Sequence, residues 1–178
     1  MTLPSWNLNQ FYESIEDNQI NKDFKNLNSI SKKFQNKYRG KLDSLSSESL
    51  LNSLKEYEKV EEVIQKIQSF AYLSYCTDQL EDKIKKFYQE VEEKLSNIEK
   101  NLIFYGIELN NLPTKNLKCF DNTKYVNWIK NHRKFKKYQK SEDNEKLLME
   151  KSITSSSAWV KFFDQSMARL KFKFNAKN

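Results

Sequence analysis

Gly40, Gly106, Pro4 and Pro113 are the only glycines and prolines in 178 residues. Sheet-rich folds consume such residues at their reversals, because glycine supplies positive φ and proline presets the first corner of a turn. A chain with so few of them reverses rarely, and long helices joined by few links satisfy that constraint. Twelve Phe and nine Tyr, within 38% hydrophobic residues, give those helices enough large apolar groups for a core despite 31% charge. A chain of this length buries about two-thirds of its unfolded surface, so one core can hold it without staples.

The apolar spacing places the helices. Ile20, Phe24, Leu27, Ile30, Phe34 and Tyr38 recur in steps of three and four and share one face, and Gly40 follows as a stop. Leu50, Leu54, Tyr57, Val60, Ile64, Ile67 and Ala71 predict a second helix, from a Ser46 or Ser47 cap to about Cys76. Thr77 and Asp78 are expected to cap a third. Its stripe runs through Leu80, Ile84, Phe87, Val91, Leu95, Ile98, Leu102, Tyr105 and Leu109. The short link between these two stripes predicts an antiparallel hairpin.

Pro113 breaks the pattern, and three shorter helices are expected beyond it. One carries Tyr125, Trp128, Ile129, His132 and Phe135, and one starts near Ser141. The last opens in the serine cluster 155–157, whose serines read as a cap, while Ala158, Trp159, Phe162, Phe163, Met167 and Leu170 read as packing residues. Leu170, Phe172 and Phe174 then alternate with Lys171 and Lys173, a strand signature with no obvious partner strand in this chain. The expected fold class is all-α: a long antiparallel helical hairpin plus shorter helices, with a short strand-like C-terminal tail. Residues 1–112 and 113–178 are expected to form one compact unit.

Candidate chemistry is sparse. His132 is the only histidine, which excludes an H-E-x-x-H zinc helix, and its register with Trp128, Ile129 and Phe135 favours a structural role, with a substrate contact as the alternative. Glu61 with Glu62, and Glu92 with Glu93, are helix neighbours that point apart and read as a solvated face. Two glycines cannot build a phosphate-cradling loop, and Gly106 reads as a close helix crossing or a bend. Cys76 and Cys119 lack C-x-x-C spacing and read as two buried, reduced thiols of a cytosolic protein. No catalytic, cofactor-binding or metal-ligating residue is assigned. The N-terminus has no leader pattern and no apolar run approaches a membrane span, so a soluble cytoplasmic protein is expected.

The net charge of +7 is uneven: 115–140 holds nine basic residues against Asp121, whereas 47–109 holds eight basic and thirteen acidic. Within 130–140, Phe135 and Tyr138 alternate with Arg133, Lys134, Lys136 and Lys137, a pattern that fits phosphate clamping with base stacking. It fits equally the cationic end of an amphipathic helix.

Three separated segments carry a resemblance. LPSWNLNQFYESIED opens the chain, FQNKYRGKL ends the first helix, and EKLLMEKSITSSSAWVKFFDQSMARLKFKF closes it. Together they resemble the bacterial oligoendopeptidase F group of zinc metallopeptidases, relatives of the thimet-type oligopeptidases. In that family the opening reads L-P-x-W-D-L, with Asn7 here replacing the acid, and the first helix ends in Y-R-G-K/R-L. Glu145, Lys146, Glu150, Lys151, Trp159, Phe163 and Asp164 match its third segment in order and spacing, with Ser155 standing where glycine is common.

The resemblance spans 3–174 and implies the N-terminal region alone, a helical domain forming a wall of the peptide-binding channel. It places the zinc helix, whose glutamate deprotonates a zinc-bound water, in a separate catalytic part. This chain is therefore expected to be a truncated or N-terminal form, inactive by itself, with no cofactor of its own. Its expected partners are the catalytic part and short peptides. The alternative is a stand-alone helical binding module using 115–140 for nucleic acid or an acidic partner. A third reading is a structural hairpin that self-associates through the Leu80 to Leu109 stripe.

Overall fold

The computed structural model describes residues 6–173. Helix α1 (Asn18–Tyr38) starts where Asp17 accepts the Gln19 amide at 2.8 Å, and it buries Ile20, Phe24, Leu27, Phe34 and Tyr38 as the spacing predicts. Gly40 leaves the helix at φ 74°, and its amide donates to Glu108 at 2.7 Å. A short 3-10 turn (Leu42–Ser44) leads to α2 (Ser47–Thr77), capped by Ser46, which accepts the Ser49 amide at 3.2 Å. At 31 residues, α2 is the spine against which α1 and α3 (Asp82–Glu99) pack.

Ring pairs show that α2 and α3 run antiparallel. Tyr75 stacks on Tyr88 at 4.9 Å and Phe70 meets Phe87 at 5.9 Å near the link, while Glu61 of α2 acts on Glu99 at the far end. The fold is all-α, with no strand among the described residues.

The third stripe is two helices rather than one. Asp78 takes the Leu80 and Glu81 amides at 2.9 and 3.0 Å, so it closes a turn ahead of the helix, and Glu81 makes the cap instead. Leu80 is left exposed in that turn. After Glu99 the chain tightens: the Asn101 and Leu102 amides bond three residues back, at 3.0 and 2.8 Å, before α4 (Ile103–Asn111) begins. The bend keeps the apolar spacing while burying Leu102, Phe104, Tyr105 and Leu109, which is why periodicity alone does not reveal it. Phe34 lies at the centre, with Tyr38, Tyr57, Phe104 and Tyr105 rings 4.9 to 6.0 Å away. The C-terminal part of the stripe is thus spent inside the molecule, leaving little of it for self-association.

Leu112 turns extended before Pro113, and α5 (Thr114–Leu117) with a 3-10 turn (Lys118–Phe120) drives Phe120 against α2. Then follow α6 (Val126–Lys134), a 3-10 turn (Lys136–Tyr138), α7 (Glu142–Thr154) and α8 (Ser156–Arg169). The buried core runs from Tyr12 to Ile129; neither α7 nor α8 contains a fully buried residue.

Two expectations fail here. Leu170 to Lys173 form no strand, since no neighbouring backbone offers them a ladder; Phe174 lies outside the described residues. The serine cluster does not cap α8: Ser155 and Ser156 hydroxyls donate backward to the Lys151 and Ser152 carbonyls at the end of α7, at 2.7 and 3.5 Å.

Candidate docking surface

Helix α8 sits on the body by its polar face. Its half-buried side chains are Ser157, Lys161, Asp164 and Gln165, spaced four, three and one, which is one helical stripe. Lys161 Nζ donates to Glu92 of α3 and lies 4.8 Å from the Tyr88 ring centroid. Both charged side chains are mostly covered, so the pair is screened less than a surface bridge and fixes the helix rotation. Burial pushes the Tyr75 hydroxyl above its ordinary value, and Asp164 acts in the same direction.

The opposite face is aromatic and open. Trp159, Phe162 and Phe163 are 72, 64 and 62% exposed, and Val160, Met167 and Leu170 are open beside them. Trp159 meets Phe162 edge-on at 6.1 Å. The sequence expectation that these rings pack inside the chain is therefore corrected: the Lys161 and Glu92 pair turns the polar stripe inward. Three rings each carrying ~150–250 Å² expose on the order of 400 Å² of one contiguous type, a size that marks interaction sites.

Helix α7, beneath it, is likewise held by charge. Glu142 takes Arg39 at 2.8 Å and Lys146 at 2.6 Å, and Glu150 takes Lys100 at 2.6 Å. Its Leu147 and Leu148 remain exposed.

An open groove of about 730 Å³ lies between α4, α6 and α7. His132 forms part of its wall, stacked on Trp128 at 5.0 Å, with Nε2 3.1 Å from the Gly106 carbonyl oxygen. That contact requires an N–H on Nε2, and the ring stands so close that a Cβ on Gly106 would lie 3.2 Å from its Cε1. Gly106 is thus the close crossing that the sequence suggested. Burial, with Glu61 behind it, pushes the groove's Glu99 carboxyl above the usual range.

The remaining candidates separate. Glu92 joins Lys161 while its neighbour Glu93 accepts from Gln89 at 2.9 Å, so that pair shares no site. In the basic stretch, Lys124 is paired with Glu58 at 2.6 Å and Arg133 donates to the Leu112 carbonyl at 2.8 Å, which leaves Phe135 and Tyr138 exposed beside Lys136 and Lys137. The expectation that both thiols are buried is corrected: Cys76, in the last turn of α2, is exposed and Cys119 is half-buried, both as free thiols.

The donor set does not fit a zinc ion. His132 spends Nε2 on a carbonyl, and no three His, Cys, Asp or Glu side chains gather among the described residues. No helix among them is long and apolar enough to cross a membrane. The aromatic face of α8 is the surface sequence reasoning missed. Its signal was present as the Ser157, Lys161, Asp164 stripe, which matches a buried face in spacing but not in polarity.

Residues 108–172 match the family model described as oligopeptidase F, the N-terminal domain of peptidase M3. The segment runs from the last residues of α4 through α8, and over these residues the chain is similar to an oligopeptidase F N-terminal region. No curated protein and no solved structure matches the chain.

Proposed function

We propose that this peptidase N-terminal region works as the non-catalytic wall of a zinc oligopeptidase, docking through the aromatic face of α8 onto a catalytic part that supplies the metal and the hydrolytic residues. The observation that carries the reading is the inverted seating of α8, polar stripe inward and rings outward, within the matched segment. A free helix with this composition buries its rings, so a helix that exposes them is completed by another surface. The catalytic part belongs to the same polypeptide or to a separate one. The compartment is the cytoplasm, where the thiols of Cys76 and Cys119 stay reduced.

Sedimentation tests the proposal: the chain is mixed with an H-E-x-x-H-containing peptidase M3 catalytic fragment from the same genome. A one-to-one complex that cleaves quenched-fluorescence peptides faster than the fragment alone supports it. Two separate boundaries at tens of micromolar, with unchanged cleavage, overturn it.

The exposed Phe135 and Tyr138 beside Lys136 and Lys137 favour a second reading, binding of single-stranded nucleic acid. Titration with a fluorescent oligonucleotide at low salt separates the two, because only nucleic-acid binding weakens steeply with added salt.

A further inference from the structure

The groove between α4, α6 and α7 contains two acceptors that the protein does not satisfy. Asn110 is 4% exposed; its Nδ2 donates to Gln139 at 2.8 Å, but its Oδ1 has no partner. Among the described residues only one other buried side-chain polar atom lacks one, the Tyr75 hydroxyl. A buried acceptor left empty costs about 1–3 kcal/mol, so its retention beside an open cavity points to a donor from outside.

Glu99, on the same groove wall, has no ion-pair partner among the described residues, although the chain carries 31 Lys and Arg. No Lys or Arg lines the groove, and Lys100 and Lys146 nearby are committed to Glu150 and Glu142. The groove's second carboxylate, Glu145, accepts the Lys140 amide at 2.8 Å. Ile103, Ile107, Phe135, Leu148 and Met149 supply the apolar walls. In a chain of net charge +7, this is an acceptor-rich, cation-free cavity of a size that holds small ligands.

We propose that this groove binds a primary ammonium carried on an unbranched aliphatic arm, its N–H groups donating to the Glu99 carboxylate and Asn110 Oδ1 and its methylenes lying on Ile103, Ile107 and Met149. A free alkyl polyamine and a lysine side chain share that chemistry. The inference does not depend on the docking role of α8.

Amide chemical-shift titrations of the full chain test it, with n-pentylamine and 1,5-diaminopentane against neutral pentan-1-ol. Amines shift Gly106, Asn110 and their neighbours at millimolar concentration and the alcohol binds at least tenfold more weakly. Glu99→Gln weakens pentylamine about tenfold, in line with a hydrogen bond to a charged group. Glu93→Gln, on the same helix but outside the groove, leaves the titration unchanged. N-acetyl-lysine-methylamide against its norleucine counterpart then assigns the source: tighter binding than diaminopentane indicates a peptide side chain, weaker binding a free polyamine. Equal shifts with amine and alcohol, absence of groove shifts, or the same loss in Glu93→Gln overturns the proposal.

Discussion

Trp159→Ser with Phe162→Ser separates a docking face from a core. If these rings are surface, each substitution stays within about 0.5 kcal/mol, and the pair moves the melting temperature by no more than about 4 °C for a chain of this size. Buried rings behave otherwise: Phe104, 1% exposed, loses about 3–5 kcal/mol on truncation to alanine. The partner side of the estimate is larger. The exposed rings offer on the order of 400 Å², worth roughly 10 kcal/mol gross at 25 cal/mol/Å² before the costs of association. Removing two central aromatic anchors therefore weakens the complex with the catalytic fragment by at least about a hundredfold. Thermal unfolding of the isolated chain and sedimentation of the mixture read the two effects separately. A drop in melting temperature beyond about 8 °C, a Phe104-like loss, would show that the rings pack within this chain and would refute the reasoning; unchanged affinity would move the docking site elsewhere.

Lys161→Met strands the mostly covered Glu92 carboxylate, and amide exchange in α8 is expected to rise about tenfold while α2 stays protected; equal exchange in the variant and the parent would discount the latch. Gly40→Ala meets no atom within 4 Å, so only its φ of 74° is strained, at a cost of about 1–2 kcal/mol; an unchanged urea midpoint would mean the turn relaxes. Glu99 holds its proton more tightly folded than unfolded, so its unfavourable contribution is absent at acid pH and grows as pH rises through its raised value. Glu99→Gln is accordingly more stable than the parent at pH 8 and close to it at pH 4, and urea curves giving the same difference at both pH values would dismiss that account.

Much of the helix inventory was legible in particular residues. The Ile20 to Tyr38 stripe, the cap at Ser46 or Ser47, the helix start near Ser141, the stop at Gly40 and the break at Pro113 depend on interactions within a few residues, which sequence records directly. The bend after Glu99 was not legible, because the apolar period continues across it. Nor was the groove, whose Glu99, Asn110, His132 and Glu145 come from four helices and meet only after packing.

The amino-acid order by itself determined that the chain is helical and where its core stripes lie, since period and capping are local properties. Only the tertiary structure decided which face of α8 turns inward. A helical period says that two faces differ, not which one the rest of the molecule will accept. Here Glu92 and Tyr88 of α3 accept Lys161, and the rings of Trp159, Phe162 and Phe163 are left facing out.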